Sequence, residues 1–68
     1  MKNTFGKRLK ELRTEKGLST LKLGKEIGVS DATISRWENG ISNIKSEELI
    51  IVAQYFGVTA DYLLGLEE

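Results

Sequence analysis

The sequence predicts an all-α fold, a compact bundle of five short helices, and three observations lead there. Proline is absent from all 68 residues. No stretch alternates apolar and polar residues for long enough to make a strand. Polar caps and glycines cut the chain into segments of helical length.

Phe5, Leu9, Leu12 and Lys16 recur at spacings of four, three and four, the stripe of an amphipathic helix over about residues 4–16, which Gly17 closes. Ser19 is placed to cap a second helix over 20–27, and Gly28 supplies the positive φ of a sharp exit. Ser30 caps a third over 31–38, ended by the pair Asn39-Gly40. After a loop at 41–45, Ser46 is expected to cap a fourth helix over 47–56, closed by Gly57. Thr59 then caps a short fifth over 60–64. No repeat or linker divides the chain, so residues 1–68 read as one domain.

A chain of this length buries only about 60% of the surface its unfolded form exposes, so its core has to be dense. With no Cys and no His, neither a disulfide nor an imidazole-ligated or thiolate metal site is available, and no cofactor is expected. That composition suits a reducing cytoplasm, and the first residues lack the apolar stretch of a secretory signal. No apolar run approaches the ~20 residues of a membrane span. Catalysis finds little support either: only scattered carboxylates remain, and the adjacent Glu47 and Glu48 diverge on a helix.

The net charge is zero, but it is not evenly spread. Residues 1–36 carry nine basic side chains against four acidic, a net +5, and residues 37–68 carry Lys45 alone against six acidic, a net −5. One end of the molecule is therefore suited to phosphates, although salt bridging over a solvated surface gives the same counts.

The turn around Gly28 is too short for its two helices to lie antiparallel, so they cross steeply. Steep crossing calls for a small residue at closest approach. Gly24 provides it in mid-helix, where glycine costs about 1 kcal/mol relative to alanine. Leu23, Ile27, Val29, Ile34 and Trp37 are spaced to close a core. With Ile34 facing inward, Ala32, Ser35, Arg36 and Asn39 fall on the opposite side of the third helix, flanked by Asp31 and Thr33. Short side chains with one long donor suit entry into a groove about 12 Å wide; they also suit an ordinary solvated face.

The run LSTLKLGKEIGVSDATISRWENG, residues 18–40, resembles the helix-turn-helix of the phage repressor and Cro-type (XRE) family. Gly24 stands at the small fifth position of the motif, Gly28 at its turn, and Ile34 and Trp37 where the second helix packs. GVTADYLLG at 57–65 resembles the closing helix of the same domain. The resemblance covers nearly the whole chain and implies a five-helix lambda-repressor-like bundle that binds duplex DNA as a transcriptional regulator. It also implies that Glu38 pairs with Arg13, and the helical wheel allows both to meet at the edge of the core.

By the same resemblance, Ser19, Thr20 and Ser30 at the helix N-termini face the DNA backbone, with Asn39, Ser42, Asn43 and Lys45 after the third helix. Arg36 is the leading base reader, because its fork matches guanine O6 and N7. Ala32 and Thr33 suit a thymine methyl, Ser35 is marginal, and Asp31 either accepts from cytosine N4 or complements the helix dipole.

The chain departs from the family pattern in two places. Thr20 stands where a longer glutamine is frequent, and Ile41-Ser42-Asn43-Ile44-Lys45 replaces a loop that usually holds a basic residue and a proline. Ile41 and Ile44 either pad the core or meet a second subunit. A homodimer on an operator is implied, with Tyr62, Leu64 and Leu66 as interface or core residues. The competing reading is a protein-interaction module on the same fold, an antitoxin or anti-repressor.

Overall fold

The computed structural model describes residues 4–66; Lys2, Glu67 and Glu68, which enter the charge count, lie outside the described residues. Five helices follow one another: α1 Thr4–Glu15, α2 Thr20–Ile27, α3 Asp31–Glu38, α4 Ser46–Phe56 and α5 Ala60–Leu64. Among the described residues there is no strand, and no helix is long and apolar enough to cross a membrane.

The helices form where local chemistry starts and stops them. The hydroxyls of Ser19, Ser30 and Thr59 accept from the amides of Lys22, Thr33 and Tyr62 at 3.0–3.1 Å, satisfying donors that a helix start leaves open. Helix α4 differs from the sequence expectation. Its cap is Lys45, not Ser46, and Ser46 is already helical. The Glu48 carboxylate decides this by accepting the Lys45 backbone N–H at 3.2 Å, half of a capping box, so the acid three residues in outweighs the serine.

Every helix gives the core at least one buried side chain: Leu9 from α1, Leu23 from α2, Ile34 and Trp37 from α3, Val52 and Ala53 from α4, Leu63 from α5. Burying a residue of this size contributes roughly 1.5–3 kcal/mol, so the five helices are held mainly by one shared cluster rather than by helix propensity. Phe5 meets Trp37 edge-on, with ring centroids 6.2 Å apart. The principal contacts run α3 to α1, α1 to α5, α5 to α4, α4 to α2 and α2 to α3, so the helices close a ring around the core.

Several apolar residues take places that spacing left open. Ile27 and Val29 are only half-buried at the edge of the core. Ile44 packs against the core, whereas Ile41 is 72% exposed. Lys16 lies beyond the end of α1 and continues no apolar stripe; its ammonium sits over the Tyr55 ring, 5.1 Å from the centroid. Tyr62 packs against the core with the Arg8 guanidinium 4.3 Å from its ring centroid, while Arg8 also donates to the Tyr62 carbonyl. Leu64 and Leu66 remain exposed.

Candidate nucleic-acid interface

The turn between α2 and α3 is built on the carbonyl of Gly24. It accepts from Gly28 N at 2.8 Å and from Val29 N at 2.9 Å, and Gly28 takes the left-handed conformation, φ +82°, that ends α2 within one residue. The returning chain then passes directly over α2. A Cβ on Gly24 would lie 2.4 Å from the Val29 carbonyl oxygen, so the close approach belongs to the turn backbone itself. Leu23, Ile34 and Trp37 fix the pair from below.

Arg13, in the last turn of α1, ties the far end of α3 to this unit. Its Nε donates to Glu38 Oε2 at 2.7 Å and its Nη2 to Glu38 Oε1 at 3.0 Å, a two-point fork. Nη1 donates to the Leu18 carbonyl at 2.8 Å, one residue before the cap of α2. Donating to the Glu38 carboxylate raises the Arg13 guanidinium above its ordinary pKa, against the opposing effect of burial, and the charge of Glu38 adds to the rise. Three segments thus meet on one cation: the end of α1, the approach to α2 and the end of α3.

The expected phosphate-facing residues all lie at or near the surface. Ser19 and Ser30 are exposed and Thr20 is half-buried, at helix starts that present partial positive charge. Asp31 is exposed in the first turn of α3, where a carboxylate complements that charge. Ser42, Asn43 and Lys45 are exposed in the loop after α3.

On α3, Ala32, Ser35 and Arg36 are exposed and Thr33 is half-buried. Arg36 makes no side-chain hydrogen bond or ion pair among the described residues. Two neighbours are engaged instead. The Thr33 hydroxyl shares a 2.8 Å hydrogen bond with the Ser30 hydroxyl, and the Asn39 amide turns back on α3, donating to the Ser35 carbonyl at 2.8 Å and the Ser35 hydroxyl at 3.3 Å. Among the described residues no cluster of three or more His, Cys, Asp or Glu could hold a metal ion.

Sequence reasoning missed two of these features. The contact from Arg13 to Leu18 was signalled by donor count, since a guanidinium has five N–H groups and Glu38 takes only two. The Asn39–Ser35 tie was signalled by spacing, because residues four apart face one another on a helix.

Comparison with known proteins is consistent across sequence and structure. A helix-turn-helix family profile matches residues 9–63. The chain is 39% identical over 64 residues to the HTH-type transcriptional activator BcrR of Enterococcus faecalis, covering 94% of this chain and 31% of that protein. It is 35% identical over 61 residues to the antitoxin PezA of Streptococcus pneumoniae, covering 90% of this chain and 39% of that one. The chain therefore spans about a third of the length of these curated relatives. A crystal structure of the P22 c2 repressor protein in complex with synthetic operator 9T superposes with a TM-score of 0.83 at 30% identity, covering 87% of this chain and 89% of that one. A profile match over most of the length, together with this superposition, shows that the chain belongs to the helix-turn-helix family of Cro/C1-type DNA-binding transcriptional regulators.

Proposed function

We propose that this chain binds duplex DNA sequence-specifically with α3 in the major groove, and that it represses transcription by occupying an operator. The observation that carries the proposal is Arg36, exposed and without a side-chain partner among the described residues, on the outward side of a helix whose end Arg13 and Glu38 hold. A long donor of that kind on a fixed helix, flanked by small Ala32 and Ser35, is what bidentate reading of guanine requires. The likeness to a repressor in complex with its operator supports the same docking.

In this reading Ala32 and the methyl of Thr33 meet thymine, and the Thr33 hydroxyl stays with Ser30. Asp31 serves the helix dipole, and Ser35 is occupied by Asn39. Ser19, Thr20 and Ser30 meet one stretch of backbone, and Ser42, Asn43 and Lys45 meet another. Asn39 reaches phosphate only by giving up its two bonds to Ser35. Two copies occupy half-sites about one helical turn apart, in the cytoplasm where the DNA lies.

Selection of bound duplexes from a randomised pool tests the proposal. The reading calls for a recovered motif with two related half-sites, and recovery of no consensus would contradict it. A second reading, an antitoxin whose partner is a protein, is favoured by the similarity to PezA. It predicts that a protein partner engages the outward side of α3 and competes with DNA there.

A further inference from the structure

Asn39 caps the end of α3, three residues past Arg36, and its donors are all spent within the protein. A carbonyl can only accept, so the side-chain amide turns its nitrogen toward the Ser35 carbonyl at 2.8 Å, and the other N–H of that nitrogen serves the Ser35 hydroxyl at 3.3 Å. The main chain closes in the same way. The N–H groups of Asn39, Gly40 and Ile41 return to the carbonyls of Ser35, Trp37 and Arg36 at 3.0, 3.2 and 2.9 Å. The side-chain oxygen, Oδ1, makes no hydrogen bond among the described residues. At an exposed position, Asn39 therefore offers an acceptor and no donor.

Phosphate is the wrong partner for that group. Its oxygens are anionic and accept only, and the end of a helix already carries partial negative charge. The resemblance that sends Asn39 to the DNA backbone thus meets a residue whose own bonds favour the opposite chemistry. The major groove does present donors: the exocyclic amines, N6 of adenine and N4 of cytosine.

We propose that Asn39 reads a base, its Oδ1 accepting a hydrogen bond from an exocyclic amine in the major groove. The proposal rests on the placement of α3 in that groove and adds to it a second reading residue of opposite polarity, since Arg36 only donates. Ser35 is the positioning residue. Its carbonyl takes both the backbone and the side-chain N–H of Asn39, so the acceptor is held in place before DNA arrives and little side-chain freedom is lost on binding. Three helical residues advance about 4.5 Å and fall about 60° short of a full turn, which sets Asn39 roughly one base step from the guanine assigned to Arg36.

Duplexes lacking one amine at a time test this. On the site selected by the wild-type chain, each adenine is replaced in turn by purine and each cytosine by 2-pyrimidinone, and affinities are measured for the wild-type chain, Asn39→Ala and Asn39→Lys, with circular dichroism as a check on helicity. These analogues also weaken base pairing, so the two variants on the same duplexes set the baseline. The wild-type chain is expected to lose about three- to tenfold in affinity beyond that baseline at one position of each half-site. Both variants lose preference there, and Asn39→Lys, a long side chain at an exposed position, binds all duplexes more tightly with a steeper salt dependence. Analogue effects equal in all three proteins, or an Asn39→Ala chain that weakens every duplex alike with its motif intact, would overturn the proposal and return Asn39 to the backbone. A motif that depends on Arg36 but not on Asn39 overturns this proposal alone; recovery of no motif by the wild-type chain overturns the placement of α3 and this proposal with it.

Discussion

The Arg13 guanidinium grips both carboxylate oxygens of Glu38, at 2.7 and 3.0 Å, with side chains only 12% and 6% exposed. Removing one partner leaves the other nearly buried and uncompensated. Glu38→Ala is expected to cost about 3 kcal/mol, read from the urea midpoint. That is a large share of a total near 0.05–0.15 kcal/mol per residue, about the range for small domains. Replacing both partners with apolar residues of similar volume is expected to be close to neutral for stability. It should still weaken DNA binding, because the pair sets where α3 ends relative to α1.

Gly24 passes beneath the turn, and a side chain there meets the Val29 carbonyl oxygen, which is backbone and has little room to yield. Gly24→Val is expected to destabilise by about 2–3 kcal/mol through this clash, although helix propensity alone slightly favours valine over glycine. Denaturation of the variant checks this. A loss below about 1 kcal/mol would mean that the turn relaxes freely, since helix propensity alone favours valine over glycine by roughly a few tenths of a kcal/mol.

The boundaries of α2, α3 and α5 are legible in the sequence because each rests on a residue that acts locally, a hydroxyl cap at the start and a glycine or Asn39 at the end. The start of α4 is not, because two capping devices overlap there and only the folded geometry shows that Glu48 favours Lys45 over Ser46. Ile41 and Ile44 lie three residues apart in a loop, where no periodicity applies, so packing alone separates the exposed one from the buried one. In α4 the reason is different: a helix apolar on two faces has no single stripe, and Ile50 and Ile51 read like core residues until the neighbours of the helix are known. At the candidate interface, helical spacing places Arg36 and Ala32 on the outward side of α3. The engagement of Asn39 and Thr33 with their own helix emerges only from side-chain geometry.

Lys45 caps α4 with its backbone and leaves its side chain exposed after α3. If that ammonium meets phosphate, Lys45→Ala is expected to weaken binding to all duplexes alike and to reduce the slope of log affinity against log salt by about 1. Titrations at several salt concentrations, on a selected site and on an unrelated duplex, separate this from base reading. An unchanged slope would remove Lys45 from the interface.

The most direct test of the central claim is a paired selection from randomised duplexes with the wild-type chain and with Arg36→Ala. The Arg36 side chain is exposed and makes no hydrogen bond or ion pair among the described residues, and alanine keeps the carbonyl that accepts from Ile41 N, so the variant is expected to fold normally. The expected result is a wild-type motif containing guanine at a symmetric position, and loss of preference at that position alone in the variant, equivalent to about 1–3 kcal/mol of discrimination. Identical motifs from the two proteins would contradict the placement of α3 as the reading helix.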